Sequence, residues 1–372
     1  LHHGRPWLWT GLAGLLVCGL AVARIWPART QGILLLLGSG LGLLGLVASG
    51  FAIGATGWSF ELLQALWGDL PTGQFGMGWG AALVLLSLVI LLGASLARLG
   101  GFRGDVFVAA AVLACTALLA LFVVYPVLRS LVAAWVDDSG AYAWMHLLER
   151  VATERVWGLG CVQGAGRCGV AWNTLWLALM TATGTTVMGS LLALWAERGN
   201  TRLSKPLNIL AMLPIITPPF VVGLGLILLF GRAGLFNQAL EWAFGVEPGR
   251  WFYGVFGIWL AQMFAFTPIA FMIMRGVVQG VSPSMEEAAQ TLRASRMQTF
   301  WTVTLPLLKP GLANAFLVGF IESMADFGNP IILGGQYAVL STEIFFAIVG
   351  ASLDPGMAAA LALVLTAFAL VV

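Results

Sequence analysis

The 372-residue chain has little charge: only 9% of its residues are Asp, Glu, Lys or Arg, and its formal net charge is +2. Soluble domains carry about 25% charged residues, so this scarcity argues against a soluble protein. The small net charge gives no sign of nucleic-acid binding. What the chain has instead is apolar sequence, since 60% of its residues are hydrophobic and its mean hydropathy is +0.94. The composition therefore predicts an all-α polytopic membrane protein in contact with membrane lipid.

The chain also lacks the patterns of common catalytic and metal sites. It contains no phosphate-binding G-x-x-x-x-G-K-[ST] loop and no nucleophile elbow. Its 3 His and 4 Cys show no zinc-ligand spacing. We therefore expect no catalytic residue, no metal site and no cofactor bound by this chain.

Long apolar runs are abundant. A helix needs about 20 residues to cross a hydrocarbon core of about 30 Å. Nine runs approach or reach this length, near 7–23, 32–56, 79–98, 105–128, 173–196, 206–230, 252–275, 311–334 and 356–372. The last run stops at Val372 without a polar flank, so we expect the natural protein to continue beyond it.

Basic residues orient these spans, because short loops rich in Lys and Arg stay in the cytoplasm. If the polar segment 282–310 is cytoplasmic, the outer loops at 57–78 and 335–355 contain no Lys or Arg. We predict that the amino end lies outside and that residues near 372 lie inside. The inner side then holds 11 of the 18 basic residues: Arg24, Arg29, Arg98, Arg103, Arg198, Arg202, Lys205, Arg275, Arg293, Arg296 and Lys309.

The chain divides at about residue 104. Residues 1–104 contain three spans with short connections, and we interpret them as an N-terminal membrane block that packs against the rest. Residues 105–372 have longer and more polar loops, so we expect them to contain the functional residues.

The 282–310 segment, SPSMEEAAQTLRASRMQTFWTVTLPLLKP, is polar yet has the pattern of a helix. Ser282 is a good N-cap, and Pro283 suits the first helical position, where an N–H has no partner. Glu286 and Glu287 lie in the early turns, which the helix dipole favours. We expect Leu305–Pro306 and Lys309–Pro310 to end this excursion before the next span. One helical face carries small or apolar side chains: Met285, Ala288, Ala289 and Leu292.

The segment is thus a candidate for docking a partner. An amphipathic helix lying on lipid headgroups is the alternative, although the apolar face lacks the bulky residues that lipid anchoring favours.

The pattern of Glu287-Ala288-Ala289, position 293 and Val303-x-Leu305-Pro306 resembles the EAA signature of ABC-transporter membrane subunits, E-A-A-x3-G-x9-I-x-L-P. The resemblance covers about 105–372 and implies a six-helix type I importer core preceded by three extra helices. It also implies that the segment contacts a cytoplasmic ATPase dimer, which holds ATP and Mg. Arg293 stands where the family has Gly, which adopts left-handed conformations more cheaply. The implied coupling residues are Glu286, Glu287, Ala288, Ala289, Leu292, Arg293, Ala294, Leu305 and Pro306.

A longer stretch of the sequence resembles ferric iron transport permeases. It consists of LRASRMQTFWTVTLPLLKPGLANAF and of ADFGNPIILGG at 325–335. This implies ferric iron import across the bacterial inner membrane, delivery by a periplasmic substrate-binding protein, and a second permease core. That core would follow in the same chain or come from a homodimer. Permeases for polyamines, thiamine, sulfate and phosphonates share the EAA element and remain alternatives.

Two sites suggest a translocation pathway. Glu322 and Asp326 lie four residues apart on one helical face, and we expect Asn329–Pro330 to interrupt the helix after them. Carboxylates are costly in hydrocarbon, so they should face protein or a water-filled cavity. Either they line a cation route, or backbone groups or a basic partner satisfy them. The second site, with Pro214, Thr217 and Pro218, frees backbone carbonyls and is either a pathway wall or a kinked packing helix.

The predicted outer loop at 129–172 contains Cys161 and Cys168, which could close as a small disulfide ring in an oxidising compartment. The loop is a candidate docking surface for the binding protein, or it merely covers the outer mouth.

A different class of protein fits the composition as well. A proton- or ion-coupled secondary transporter is also polytopic, glycine-rich and proline-broken, with carboxylates in its spans. The 282–310 segment distinguishes the two classes, because only the ATP-driven permease needs it for coupling.

Overall fold

In the computed structural model of the chain, the residues described are 9–23, 25–54, 57–70, 78–136, 142, 144–162, 164, 168–199, 204–351 and 353–372. The described residues are overwhelmingly helical, which confirms the predicted all-α class. Two short strands, Ile53–Gly54 (β1) and Gly57–Trp58 (β2), pair antiparallel with Ile53 opposite Trp58. Arg24 and Arg202, which we used to orient the spans, lie outside the described residues.

The chain divides into two compact units, Leu1–Leu128 and Arg129–Val372. The third long helix of the first unit therefore lies in residues that we had assigned to the second block. Compactness does not test which residues form the functional core, so the division at residue 104 stays a prediction.

The helices of the first unit pack closely. A Cβ atom on Gly14 would lie 2.5 Å from the Gly38 carbonyl oxygen, so the first two helices meet almost backbone to backbone. The Asp105 carboxylate caps a later helix by accepting the Val108 N–H at 3.1 Å. The helices are α1 (Trp9–Val22), α2 (Ala28–Ala52), α3 (Glu61–Trp67), α4 (Trp79–Arg98) and α5 (Val106–Leu119). After a π turn at Ala120–Val124, α6 (Tyr125–Ala133) begins in the first unit and ends in the second.

The second unit contains the remaining helices. They are α7 (Trp144–Val151), α8 (Glu154–Trp157), α9 (Val170–Arg198), α10 (Ser204–Met212), α11 (Pro219–Phe230), α12 (Leu235–Phe244), α13 (Val255–Gly280), α14 (Pro283–Thr291), α15 (Arg296–Thr299), α16 (Leu305–Ala325), α17 (Gly328–Leu333), α18 (Leu340–Val349) and α19 (Pro355–Val371). A 3₁₀ turn, Leu213–Ile216, follows α10, and a π turn, Phe300–Thr304, joins α15 to α16.

Helices α9, α13 and α16 form the centre of the second unit. Phe271 and Met274 of α13 are fully buried in a cluster with Ala193 of α9 and Leu308 of α16. Helix α9 also buries hydroxyl side chains, and three of these bond to carbonyls of their own helix, as Thr185 Oγ1 does to the Thr181 oxygen at 2.7 Å. Internal bonding lets polar residues enter a helix interface without a partner from another helix.

Seven described helices are long and apolar enough to cross a membrane, and three shorter apolar helices accompany them. The long ones are Ala28–Ala52, Trp79–Arg98, Val106–Ala133, Val170–Arg198, Pro219–Phe244, Val255–Gly280 and Arg296–Ala325. The shorter ones are Trp9–Ala21, Leu340–Val349 and Pro355–Val371.

The predicted continuous span at 206–230 is wrong, because the chain breaks between Ile216 and Pro219. Proline lacks an N–H and clashes with the carbonyl of the preceding turn, so three prolines within six residues prevent one helix. Thr217 stabilises the break, since its hydroxyl donates to the Pro214 carbonyl at 2.8 Å.

The predicted span at 311–334 is also wrong at both ends. The helix begins at Arg296, continues through Pro306 and Pro310, and ends at Ala325. The chain therefore stays helical through both prolines, and the end of the 282–310 excursion at these residues stays a prediction. The π turn at Phe300–Thr304 lies just before Pro306 and provides the irregular hydrogen bonding that an internal proline needs.

A helix that we did not predict, α18, occupies part of the predicted outer loop at 335–355. Its 10 residues are too few for a membrane-crossing run, so a search for long apolar segments does not detect it.

Candidate functional site

The 282–310 segment begins as predicted, with Ser282 at the N-cap position and Pro283 as the first residue of α14. The cap differs in detail from the prediction. The Ser282 hydroxyl makes no capping bond, and its oxygen lies 2.7 Å from the Ser284 hydroxyl oxygen instead. Proline at the first helical position therefore does more than the serine side chain to start this helix.

A sharp turn ends α14. The Ala294 N–H donates to the Ala289 carbonyl at 3.1 Å, and the Arg293 N–H donates to the Gln290 carbonyl at 3.0 Å, which is a Schellman motif. Arg293 has φ 66°, in the left-handed region. This conformation costs a residue with a Cβ atom about 1–2 kcal/mol. Arg293 thus takes the same backbone conformation that glycine would take, at a local cost in free energy.

The next helix starts with reciprocal caps. The Gln298 N–H donates to Ser295 Oγ at 3.2 Å, and the Ser295 N–H donates to Gln298 Oε1 at 2.8 Å. This capping box fixes the start of the helical run that continues to Ala325. Helix α14 therefore lies between the end of α13 and a helical run whose first turn, at Arg296, is fixed by the capping box.

The two glutamates of α14 point in different directions. Glu287 is exposed, as are Ala288 and Arg293, and Leu292 has 84% of its surface accessible. Glu286 is half-buried and accepts a hydrogen bond from Thr304 Oγ1 at 3.1 Å. The other coupling residues named above divide between the exposed Pro306 and the half-buried Ala289, Ala294 and Leu305.

A cluster of buried polar groups surrounds the break between α16 and α17. Asp326 Oδ2 accepts from Gln262 Nε2 at 3.0 Å and from Asn329 Nδ2 at 2.9 Å, while Oδ1 accepts the Asn329 N–H at 3.2 Å. Gln262 Oε1 in turn accepts from Thr181 Oγ1 and Ser323 Oγ, each at 2.8 Å. We call these five residues the Asp326 cluster. Every donor to Asp326 in it is electrically neutral.

The structure brings some of the predicted pathway residues together. A cavity of about 480 Å³ is lined by Pro218, Glu322 and Asp326, along with apolar groups that include Phe220 and Phe266. Among the described residues, neither carboxylate takes part in an ion pair. Asp326 instead accepts one backbone N–H and two side-chain amide groups.

The other predicted pathway residues lie apart from this cavity. Asn329 is fully buried in the Asp326 cluster, and its side-chain oxygen has no hydrogen-bond partner. Thr217 and Pro214 form the break before α11 through their own hydrogen bond. From the second site, Pro218 and the adjacent Pro219 line the cavity wall.

Sequence reasoning missed Gln262 and Ser323. A lone amide within the apolar run of α13 was the available signal for Gln262, since uncharged polar residues in spans usually hydrogen-bond across helices. Nothing in the sequence indicated that its partner would come from α16.

A second, larger cleft of about 2000 Å³ lies beside the disulfide-bonded pair Cys161 and Cys168, whose Cα atoms are 4.8 Å apart. Arg155 Nη2 contacts Glu343 Oε2 at 2.5 Å, which connects α8 to α18 at the cleft wall. Arg232 and Arg250 also line this cleft. Part of the 129–172 loop, including 137–141, lies outside the described residues.

Groups of three or more His, Cys, Asp or Glu side chains placed to hold a metal ion do not occur among the described residues.

Residues 186–372 match the family model described as "Binding-protein-dependent transport system inner membrane component". The "Putative ferric transport system permease protein FbpB 1" of Haemophilus influenzae is 40% identical over 299 residues, which are 80% of this chain and 45% of that protein. The ferric transport system permease protein FbpB of Actinobacillus pleuropneumoniae is 38% identical over 299 residues, with 80% and 42% covered.

The molybdenum transport system permease protein ModB of Mycobacterium tuberculosis is 34% identical over 208 residues, which are 54% of this chain and 76% of that protein. The chain thus spans less than half the length of the two ferric relatives and most of the length of the molybdenum relative.

One solved structure that matches is a bacterial alginate ABC transporter in complex with an alginate pentasaccharide-bound periplasmic protein. The TM-score is 0.58 at 19% identity, with 71% of this chain and 91% of that chain covered. At this identity the likeness concerns the fold alone.

Proposed function

Because the chain belongs to the family of binding-protein-dependent transport system inner membrane components, we propose that it is the permease subunit of an ATP-driven ferric iron importer. The iron would arrive on a periplasmic binding protein. The observation that carries the proposal is the exposed helix α14, which connects two of the long apolar helices. It occurs in a chain that is 40% identical to a ferric transport permease over 299 residues.

Helix α14 is the proposed contact with the ATPase, and we call it the coupling helix. Its exposed Glu287, Ala288 and Leu292 offer one charge, one small surface and one apolar side chain to a partner. A small residue allows close approach, and the flanking caps keep the helix rigid enough to transmit movement. ATP and Mg would bind on the partner ATPase, which places the coupling helix and residues near 372 in the cytoplasm.

The cavity lined by Glu322 and Asp326 is the proposed part of the translocation pathway within this chain. Its two carboxylates lack basic partners in the described residues, so the cavity favours a cation over an anion. Asp326 is also held by the amides of its cluster. We therefore expect Glu322, which accepts no described hydrogen bond through its carboxylate, to be the more adaptable of the two.

The large cleft beside the Cys161–Cys168 disulfide is the proposed outer docking region for the binding protein. The ion pair of Arg155 with Glu343 holds α8 against α18, which would give a docking partner a rigid surface.

A molybdenum compound is the second candidate substrate, because ModB relatives match at 34% identity over 54% of this chain. Such a substrate is an oxyanion in water, and the acidic cavity argues against it.

The test uses the complete transporter in lipid vesicles, with its ATPase and with the binding protein empty, loaded with Fe³⁺ or loaded with molybdate. We expect Fe³⁺ loading to stimulate ATP hydrolysis and iron uptake. Stimulation by molybdate alone would overturn the substrate, and uptake driven by an ion gradient without ATP would overturn the mechanism. Glu322→Gln with Asp326→Asn should reduce uptake, and unchanged uptake would remove the pathway assignment.

A further inference from the structure

Two polar contacts join the ends of α9 and α13 beside the coupling helix, and only one of them reaches it. In the first, Arg275 Nε of α13 donates to Glu197 Oε1 of α9 at 2.6 Å. Gln279 Nε2 donates to the same oxygen at 3.1 Å. Among the described hydrogen bonds, this contact connects α9 to α13 without touching α14.

The second contact is made by Arg198, the last residue of α9. Its Nη2 atom donates to the Val281 carbonyl at 2.7 Å and lies 3.5 Å from the Val278 carbonyl oxygen. The same nitrogen lies 3.6 Å from Glu286 Oε1 of the coupling helix. The Arg198 side chain is 25% exposed and that of Glu286 is 21% exposed, so both are largely shielded from water.

The chemistry of this position suits arginine. The last carbonyls of a helix have no partners within the helix and carry partial negative charge, which a cation stabilises. A planar guanidinium has several N–H groups in fixed directions and can bond to carbonyl oxygens and a carboxylate at once. Thr304 Oγ1 completes the contact from the other side by donating to Glu286 Oε1 at 3.1 Å. Glu286 thus joins α9 to the π turn before α16, and Arg198 joins both to the end of α13.

Adjacent helical residues point about 100° apart, so Glu286 and Glu287 cannot face the same surface. Glu287 is exposed, whereas the Glu286 carboxylate is occupied by Arg198 and Thr304. Resting on the proposed function, we propose that Arg198 is a positioning residue that transmits movement of the coupling helix to α9 and α13, with Glu286 as its partner. Glu286 acts inward in this arrangement, and Glu287 is left for the ATPase.

The test compares the two contacts in the complete transporter with its ATPase, reconstituted with binding protein loaded with Fe³⁺. Arg198→Gln and Glu286→Gln should each lower the iron imported per ATP hydrolysed about tenfold, as expected when a largely shielded ion pair loses one partner, and the double variant should lose no more. Arg275→Gln, the matched control, should change this ratio less than about twofold, since a contact between α9 and α13 remains.

Equal losses in Arg275→Gln and Arg198→Gln would overturn the proposal, because the role would then be only to hold α9 against α13. Additive losses in the double variant would also overturn it. If Arg198→Gln does not assemble, Glu286→Gln decides alone, and normal coupling in that variant contradicts the proposal.

A second measurement does not depend on the substrate, so it separates this inference from the proposed function. Spin labels on cysteines replacing the exposed Gln290 of α14 and Leu191 of α9 report the distance between the two helices, once the free Cys18 and Cys115 are replaced by alanine. Adding ATP should leave this distance unchanged in the parent and change it when Arg198→Gln is introduced. A change of the same size in both would overturn the inference, even if iron uptake proves normal.

Discussion

The coupling helix and the Asp326 cluster both contain acidic side chains, but the first lies at the surface of the unit and the second lies between packed helices. On α14, Glu287 is exposed and Glu286 meets a charged partner, Arg198. In the Asp326 cluster, the carboxylate accepts three hydrogen bonds from neutral donors. Water reaches the exposed Glu287, whereas the Asp326 carboxylate depends on its protein donors. We therefore expect changes at α14 to affect coupling and changes around Asp326 to affect stability.

The largest expected effect is on coupling. Replacing Ala288 with Trp places a bulky ring on the exposed small surface of α14. Iron uptake should fall at least about 30-fold, as for the loss of an interface hot spot, while the protein remains folded. Uptake of iron into vesicles and thermal unfolding in detergent measure the two effects.

Gln290→Trp is the matched control, since Gln290 is also exposed on α14 but projects from a different side. Equal loss of uptake in both variants would mean that any bulk on this helix disturbs transport, and the assigned contact surface would be wrong.

The second prediction concerns the Asp326 cluster. Asp326→Leu leaves the amides of Gln262 and Asn329 without their acceptor, which should lower the free energy of unfolding by about 2–3 kcal/mol. Glu322→Gln, at the same cavity but without a described side-chain hydrogen bond, should change it by less than about 0.5 kcal/mol. Denaturation in detergent checks both, and equal destabilisation would contradict the difference between these carboxylates.

A third prediction tests how tightly the cluster is packed. A Cβ atom on Gly223 of α11 would lie 2.7 Å from Asn329 Oδ1, which the bond to Asp326 holds in place. Gly223→Ala should therefore destabilise the protein by about 1–3 kcal/mol. Gly225 lies in the same helix, and a Cβ atom there would meet nothing within 4 Å. Gly225→Ala should therefore stabilise the protein by up to about 1 kcal/mol. If both variants shift the thermal unfolding temperature in the same direction, the Asn329 side chain can move without cost and the prediction is contradicted.

The smallest expected effect is at the turn after α14. Arg293→Gly removes the cost of a left-handed conformation and should raise the free energy of unfolding by about 1 kcal/mol. Arg293→Ala keeps the Cβ atom and should give no such gain. A gain of similar size from alanine would place the cost in the guanidinium group rather than in the backbone.

The family resemblance inferred from the EAA pattern is confirmed by the match over residues 186–372. The start of α14 at Pro283 was also predictable, because capping depends on neighbouring residues alone. Helix breaks were harder to place. Asn329–Pro330 indicated one, but α16 ends at Ala325, because Pro330 lies in the first turn of a new helix where a missing N–H costs nothing.

The sequence by itself determined the class of protein, the family and the polar segment that meets water, because these depend on composition and on spacing along the chain. Only the tertiary structure decided that Glu286 turns inward to Arg198 and that Gln262 bonds to Asp326, 64 residues away. The physical reason is that a buried polar group must find its partner on whichever helix packs beside it. Helix packing sets that neighbour, and no local spacing encodes it.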